Sequence, residues 1–259
     1  MFINVLIYLF IIILGLCIGS FLNCVIYRLE SKKSLKGRSF CPNCKHTLGW
    51  KDLFPIFSYL WIEGKCRYCK EKVSIQYPLV ELATGILFVL IFNSLGFNLS
   101  LGISVWELIR LCFLLYIACS LIVIFVYDLK HYLIPDKVLF PAIIVALVYD
   151  LFNINCLVAA GVASGFFLTI FLISKGKWMG FGDVKLAILL GLILGWPNIL
   201  VGLFLAFLFG AIIGLIMMVF EKKNLKSEIP FGPFLITGTL IAMLWGNSII
   251  QWYFNFFKI

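Results

Sequence analysis

The chain alternates between long apolar runs and short polar connections. Eight runs carry almost no charge: Phe2–Tyr27, Leu79–Phe97, Leu108–Tyr127, Val138–Tyr149, Ile154–Ser174, Leu186–Trp196, Ile199–Phe220 and Phe231–Tyr253. A helix needs about 20 apolar residues to cross a bilayer, so the two runs at Val138 and Leu186 are short and the other six are long enough. Trp196-Pro197-Asn198 is expected to end one helix and to form a turn before the next. The pattern predicts an all-α membrane protein with about eight transmembrane helices.

The lysine and arginine residues indicate on which side each connection lies. With eight crossings, 19 of the 21 basic residues fall on one side, and only Arg110 and Lys258 fall on the other. The 19 are the eleven from Arg28 to Lys72, followed by Lys130, Lys137, Lys175, Lys177, Lys185, Lys222, Lys223 and Lys226. Positive residues concentrate in cytoplasmic loops, so both termini are expected outside. The first run has no basic residue before it and is interpreted as a retained helix, not a signal peptide.

Composition narrows the class of protein further. The chain is 63% hydrophobic and 13% charged, with a mean hydropathy of +1.09. Soluble domains are roughly 45–50% apolar and about a quarter charged, so lipid is the expected solvent for most of this chain. The net charge of +9 could suggest nucleic acid. Because the basic residues follow the membrane topology, we expect no nucleic-acid partner.

One polar segment, between residues 28 and 78, contains two Cys-x-x-Cys pairs. The pairs are Cys41-Pro42-Asn43-Cys44 and Cys66-Arg67-Tyr68-Cys69, with 21 residues between them. This spacing can bring four thiolates around one tetrahedral zinc ion, which would stabilise a segment too small to fold well unaided. The segment is therefore predicted to be a small cytoplasmic zinc-ribbon-like domain. Alternatives are spare thiols, disulfides, which a reducing cytosol disfavours, or His46 in place of one cysteine ligand.

Two acidic residues stand at the ends of apolar runs on the predicted cytoplasmic side. Asp128 directly follows Leu121–Tyr127, and Asp183 closes Gly180-Phe181-Gly182-Asp183 before the sixth run. Ionisable groups at membrane depth are costly and are candidates for function. Each also has a structural interpretation, Asp183 as a helix N-cap and Asp128 as an ion-pair partner of Lys130.

The other acidic residues need no catalytic explanation. Glu81, Glu107 and Asp150 lie at predicted interfaces, where they are expected to reach headgroup water. Asp136 follows Ile134-Pro135 and is expected to cap the helix that begins near Val138. The remaining six lie in basic loops: Glu30, Asp52, Glu63, Glu71, Glu221 and Glu228.

Taken together, Asp128 and Asp183 suggest acid–base hydrolysis. Two carboxylates held close in a poorly solvated site share one proton. The ionised carboxylate can take a proton from water while its partner polarises a scissile carbonyl. Glycines at positions 180 and 182 would let an extended substrate backbone approach closely.

Five motifs occur in order along nearly the whole chain. They are Gly19-Ser20-Phe21-Leu22-Asn23-Cys24-Val25-Ile26-Tyr27-Arg28-Leu29; the cysteine pairs with Gln76-Tyr77-Pro78-Leu79-Val80-Glu81-Leu82; Asp128 with Ile134-Pro135-Asp136; Gly180-Phe181-Gly182-Asp183-Val184-Lys185-Leu186; and Pro230-Phe231-Gly232-Pro233-Phe234. With these motifs the chain strongly resembles the bacterial type IV prepilin leader peptidases, a family of membrane aspartyl proteases named for their Gly-x-Gly-Asp motif.

The resemblance implies that Asp128 and Asp183 are the catalytic pair and that Gly180 and Gly182 belong to the active-site motif. It implies substrates among type IV prepilins, pseudopilins of type II secretion and competence precursors. These are cut just before an apolar helix, at the cytoplasmic face of the bacterial cytoplasmic membrane. Many members also methylate the new amino terminus with S-adenosylmethionine, an activity associated with the cysteine-bearing loop, and Gly64 matches a glycine linked to methylation.

The expected organisation has three parts. Residues 1–27 form a first transmembrane helix, residues 28–78 a cytoplasmic four-cysteine domain associated with methylation, and residues 79–259 a seven-helix membrane peptidase core. Two other functions would use the same residues differently. An ion-coupled transporter would use the two aspartates as a proton relay, which predicts carboxylates near the membrane centre. A noncatalytic scaffold would use the zinc-binding loop to hold a partner.

Overall fold

The structure, a computed structural model, describes residues 2–97, 104–150, 153–220 and 229–257. Within these ranges it consists of helices joined by turns, with two isolated β-bridges. The α-helices are α1 Phe2–Glu30, α2 Phe57–Trp61, α3 Gln76–Ser94, α4 Val105–His131, α5 Asp136–Tyr149, α6 Ile154–Ser174, α7 Phe181–Leu194, α8 Asn198–Phe220 and α9 Gly232–Phe257, and a 3-10 turn covers Trp50–Asp52.

Each of the eight predicted apolar runs forms one of the longer helices. Six helices in the described part of the chain are long and apolar enough to cross a membrane: α1, α3, α4, α6, α8 and α9. The short runs form α5 and α7, of 14 residues each. The turn predicted at Trp196-Pro197-Asn198 is confirmed, since α7 ends at Leu194 and α8 begins at Asn198. The basic residues Lys222, Lys223, Lys226 and Lys258, and the acidic Glu221 and Glu228, lie outside the described residues.

The chain forms two compact units, Met1–Val123 and Ile124–Ile259. In the first unit α1 and α3 pack closely along small residues. A Cβ atom on Gly15 would come 2.7 Å from the Cα of Gly85, and one on Gly19 would come 2.6 Å from the Cα of Glu81. Helices approach this closely only where glycine replaces larger side chains. The buried cluster of this unit consists of Ile11, Phe88 and Phe92.

The second unit is built around α7. This helix contacts α5, α6, α8 and α9. Nine of its residues are buried: Asp183, Val184, Leu186, Ala187, Leu189, Leu190, Gly191, Leu192 and Leu194. A helix that is apolar on every side is expected in the interior of a bundle, and this one meets protein on most of its surface. A Cβ on Gly191 would overlap the backbone of Ala160, so α6 and α7 are in close contact.

Candidate active site and metal centre

Asp128 lies in the last turn of α4, and only 5% of its surface is exposed. The first backbone N–H of α9, that of Gly232, donates a hydrogen bond to its carboxylate. The carboxylate therefore lies at a helix N-terminus, where the first backbone N–H groups have no partner within the helix. A Cβ on Gly232 would overlap the Asp128 carboxylate and lie 3.2 Å from its Cγ. Glycine at this position therefore makes room for the carboxylate.

Asp183 is the third residue of α7 and is 8% exposed. Gly180, in extended conformation, is the N-cap residue, so Asp183 is not itself the cap. The backbone N–H of Gly180 donates to the Asp183 carboxylate. A Cβ on Gly182 would lie 3.3 Å from the side chain of Ile134 in the α4–α5 connection. The two glycines thus allow a tight helix start and close packing beside the carboxylate.

The fold brings the two aspartates together in the second unit. They are close enough for the negative charge of Asp128 to act on the carboxylate of Asp183. In the part of the chain that the structure describes, neither carboxylate forms an ion pair with a basic side chain. Two carboxylates buried in one unit are candidates for sharing one proton. Such a pair is compatible with the acid–base hydrolysis that the sequence predicts.

The beginning of α5 is attached to α7 by an ion pair. The Nζ of Lys185 lies 2.5 Å from an Asp136 carboxylate oxygen and over the rings of Phe140 and Phe181. The predicted capping role of Asp136 is wrong: Pro135 occupies the cap position, and the Asp136 carboxylate reaches across to α7 instead. The sequence indicates no role for Lys185, although it follows Asp183 by two residues on the same helix.

The four loop cysteines lie on two similar hairpin turns. We call each of these turns a knuckle. An antiparallel bridge between Phe40 and Thr47 closes the first knuckle, and one between Lys65 and Lys72 closes the second. In each knuckle the residue after the second cysteine has a left-handed backbone, with φ of 58° at Lys45 and 60° at Lys70. Each of these lysines donates its N–H to the carbonyl of the first cysteine of its pair. The repeated turn presents two thiols from each knuckle.

The two knuckles bring their thiols together in a set that could hold a metal ion. The Sγ atoms of Cys41, Cys44, Cys66 and Cys69 all lie within 4.8 Å of one another. The Cys41–Cys69 pair is 3.9 Å apart, close to the separation of about 3.8 Å that tetrahedral zinc with Zn–S bonds of about 2.3 Å requires. His46 is not needed to complete the set. Its ring packs on that of Tyr68 at 3.7 Å instead.

The thiols differ in how easily they ionise. Burial raises the pKa of the Cys41 thiol above its usual value. Burial acts on Cys66 in the same direction, but hydrogen bonds from the backbone N–H groups of Cys69 and Tyr68 and from neighbouring thiols lower its pKa to about 7. Metal ligation needs thiolates, and a pKa of about 7 makes the Cys66 thiolate available near neutral pH.

Gly64 lies immediately before the second knuckle in a left-handed conformation, with φ of 65°. A Cβ there would come 2.9 Å from the Tyr59 hydroxyl. Beside it is a cavity of about 430 Å³, lined by Trp61, Glu63, Lys65, Cys66, Arg67 and Lys70 among others. Glycine at this position therefore permits both the turn and the close approach of the Tyr59 ring.

Comparison with known proteins gives matches over most of the chain. Residues 13–95 match the bacterial peptidase A24 N-terminal domain, and residues 115–215 match the type IV leader peptidase family. The chain is 31% identical to the prepilin leader peptidase/N-methyltransferase of Aeromonas salmonicida, over 93% of this chain and 91% of that protein. It is 33% identical to the one from Legionella pneumophila (96% and 95%) and 32% identical to the one from Pseudomonas aeruginosa (95% and 92%). No solved structure matches the chain.

Proposed function

Because the chain belongs to the type IV leader peptidase family, we propose that it is a prepilin leader peptidase with Asp128 and Asp183 as its catalytic pair. The observation that carries the assignment of these residues is the pair itself. Two buried carboxylates lie in one unit, and the charge of one acts on the other. The substrates are precursors of type IV pilins or pseudopilins, which are cut between a short basic leader and an apolar helix.

The reaction follows from the shared proton. The ionised carboxylate takes a proton from water, and the water oxygen attacks the carbonyl carbon of the scissile peptide bond. The protonated carboxylate gives its proton to the carbonyl oxygen, which leaves a neutral tetrahedral intermediate. When the intermediate collapses, the C–N bond breaks and a proton passes to the leaving amine. Neither a nucleophilic side chain nor a metal ion takes part in these steps.

The same proposal includes the membrane arrangement. Eight crossings, with both termini outside, would place the carboxylates at the cytoplasmic face of the bacterial cytoplasmic membrane. The helices α5 and α7 are only about 21 Å long by their rise per residue. They can therefore serve as two of the eight membrane crossings only where protein surrounds them. The burial of α7 supports this. Residues 1–27 would be the first crossing, 28–78 the four-cysteine domain and 79–259 the peptidase core.

The cleavage assay tests the proposed function directly. Purified protein in detergent is incubated with a prepilin-like substrate, and the products are identified by mass spectrometry. We expect one cut, immediately before the apolar helix, and much slower cleavage of a matched substrate whose apolar helix carries polar residues. Cleavage at other positions, or equal cleavage of both substrates, would contradict the proposal.

We also propose that the four loop cysteines hold one structural zinc ion. Elemental analysis of the purified protein is expected to find about one zinc per chain, because four thiols at tetrahedral spacing form a closed site. Cys66→Ser should lose the metal, since three remaining thiols bind it far less tightly. The matched control is Cys112→Ser, an exposed cysteine of α4, which should retain zinc. Metal-free protein with four titratable loop thiols would contradict this prediction.

Methylation of the new amino terminus is the second proposed activity, supported by the relatives' names. The four-cysteine domain would carry it, with S-adenosylmethionine as the donor of the methyl group. The position of the cavity, next to the glycine that the resemblance links to methylation, supports this placement.

Gly64→Ala is expected to lower methyl transfer by about tenfold or more, equivalent to about 1.4 kcal/mol in the barrier, while leaving cleavage unchanged. The added Cβ must displace the Tyr59 hydroxyl, and alanine in a left-handed turn costs about 1–2 kcal/mol in addition. Transfer of a labelled methyl group to cleaved product measures the effect.

Gly37→Ala separates crowding at this site from backbone strain in general. Gly37 lies in the same domain with φ of 104°, and its added Cβ would meet nothing within 4 Å. It should therefore lose some stability and keep methylation. Equal losses of methylation in both variants would show that backbone strain alone, not crowding against Tyr59, explains the effect.

A further inference from the structure

The four-cysteine domain exposes a row of large apolar side chains, which we call the aromatic edge: Trp50, Phe54, Phe57, Leu60 and Trp61. The exposed fraction is 87% for Trp61 and 74% for Trp50. The rings of Phe54 and Phe57 lie 5.7 Å apart, so these two form a continuous apolar surface. Exposure of five large apolar side chains within residues 50–61 is unusual for a surface that faces water, and it marks an interaction site.

A buried carboxylate fixes the position of the edge. The backbone N–H of Ile56, between Phe54 and Phe57, donates to a Glu81 carboxylate oxygen at 2.8 Å. The Ser20 hydroxyl of α1 donates to the same carboxylate. Glu81 is 7% exposed, so the expectation that it reaches headgroup water is wrong. Its oxygens bind the loop backbone instead.

This attachment sets the depth of the edge relative to the helices. Glu81 lies five residues after the start of α3, or roughly 7–8 Å along its axis, and Ser20 lies ten residues, or about 15 Å, before the end of α1. The Pro55–Ile56 turn therefore reaches down beside the two helices, past their polar ends. The first knuckle lies further out, since the ring of Phe40 contacts Tyr27 in the last turns of α1.

The charge around the edge indicates the chemistry of its partner. The Nζ of Lys51 lies 5.5 Å from the centre of the Trp50 ring. Lys65, Arg67 and Lys70 share a cavity wall with Trp61 and with one acidic residue, Glu63, and Arg67 is ion-paired with Asp52, so the surroundings keep a net positive charge. Aromatic and aliphatic side chains bordered by lysine and arginine are typical of surfaces that bind the interface of an anionic bilayer.

We propose that the aromatic edge lies in the headgroup–acyl boundary of the membrane that α1 and α3 cross, with anionic lipid as its partner. The connection between α1 and α3 is only 45 residues long, from Ser31 to Ile75, and both of its ends enter that membrane. Together with the Glu81 attachment, this keeps the edge beside the membrane ends of both helices. This inference rests on the membrane placement of α1 and α3 and is independent of the peptidase assignment.

Fluorescence quenching in nanodiscs that hold one chain and contain anionic lipid tests the proposal. The emission of Trp61 is obtained by subtracting the tryptophan emission of the Trp61→Phe variant from that of the wild type. We expect lipids brominated near the headgroup to remove most of this emission and aqueous acrylamide to remove little of it. As the control, Trp61→Phe with Asn43→Trp moves the fluorophore to the exposed first knuckle, where acrylamide should quench it and brominated lipid should not.

The Glu81 attachment has its own matched pair of variants. Glu81→Leu removes the acceptor of the Ile56 N–H and should make Trp61 accessible to acrylamide, while Glu81→Gln keeps an acceptor oxygen and should behave as the wild type. Trp61 emission that is open to acrylamide and insensitive to brominated lipid overturns the proposal. Protection that appears only in discs with two chains also overturns it, because a second copy would then cover the edge.

Discussion

Asp183→Asn and Asp128→Asn are each expected to lower kcat for leader cleavage by about 10³-fold, within the range that positioned acid–base groups contribute. Asparagine has nearly the shape of aspartate but can neither take a proton from water nor give one to the carbonyl. The single remaining carboxylate would then ionise freely, and the shared proton would be lost. Initial rates of cleavage with the prepilin-like substrate measure the effect.

The double variant sharpens this prediction. Because the two carboxylates act as a unit, Asp128→Asn with Asp183→Asn should be little worse than either single change. Asp136→Asn is the matched control: it removes a carboxylate of the same unit that is ion-paired with Lys185 and does not belong to the pair. It should retain cleavage within about tenfold. Wild-type rates in either single variant would exclude Asp128 and Asp183 as the dyad.

Gly232→Ala is expected to lower kcat by about 100-fold, the usual cost of moving a catalytic group by about 1 Å. The new methyl group would overlap the Asp128 carboxylate and lie 3.2 Å from its Cγ, so the carboxylate must turn away from the Gly232 N–H. The loss should appear in kcat and leave KM nearly unchanged, because the substrate-binding surface is not altered. Steady-state kinetics with the same substrate separate the two parameters.

Gly214→Ala provides the control for glycine replacement in this unit. Gly214 lies in α8, and a Cβ there would meet nothing within 4 Å. Alanine is the better helix former, so this variant should be at least as stable and fully active. If Gly232→Ala cleaves as fast as Gly214→Ala, the position of Asp128 does not depend on that glycine.

The helices were predictable because hydrophobic length and charge determine them locally. Every predicted apolar run is a helix, including α5 and α7, whose shortness was also visible in the sequence. The extent of each helix was less predictable, since α4 continues past the apolar run to His131. Backbone hydrogen bonding continues a helix through polar residues until a turn or a proline ends it. What surrounds α7 depends on packing between distant segments and could not be predicted.

The candidate site residues could be picked out from the sequence, but their contacts could not. Asp128 and Asp183 stood out because an acidic residue at the end of an apolar run is costly. That Gly232 supplies an N–H to Asp128 joins residues 104 positions apart, and no periodicity indicates it. Asp136 and Glu81 were misjudged for the same reason. Each was interpreted from its nearest neighbours in sequence, whereas Lys185 and the Ile56 N–H, from other parts of the chain, are their partners.

The paired knuckles have a mechanical consequence for the segment between them. A metal ion that joined them would act as a crosslink and close a loop of 21 residues, Lys45 to Lys65, which contains the whole aromatic edge. Closing a loop of this kind restricts the number of shapes the chain can sample. Zinc occupancy would then affect how the edge contacts lipid, and lipid contact would in turn affect zinc occupancy. Chelation should loosen the edge from the bilayer while α1 and α3 remain in place.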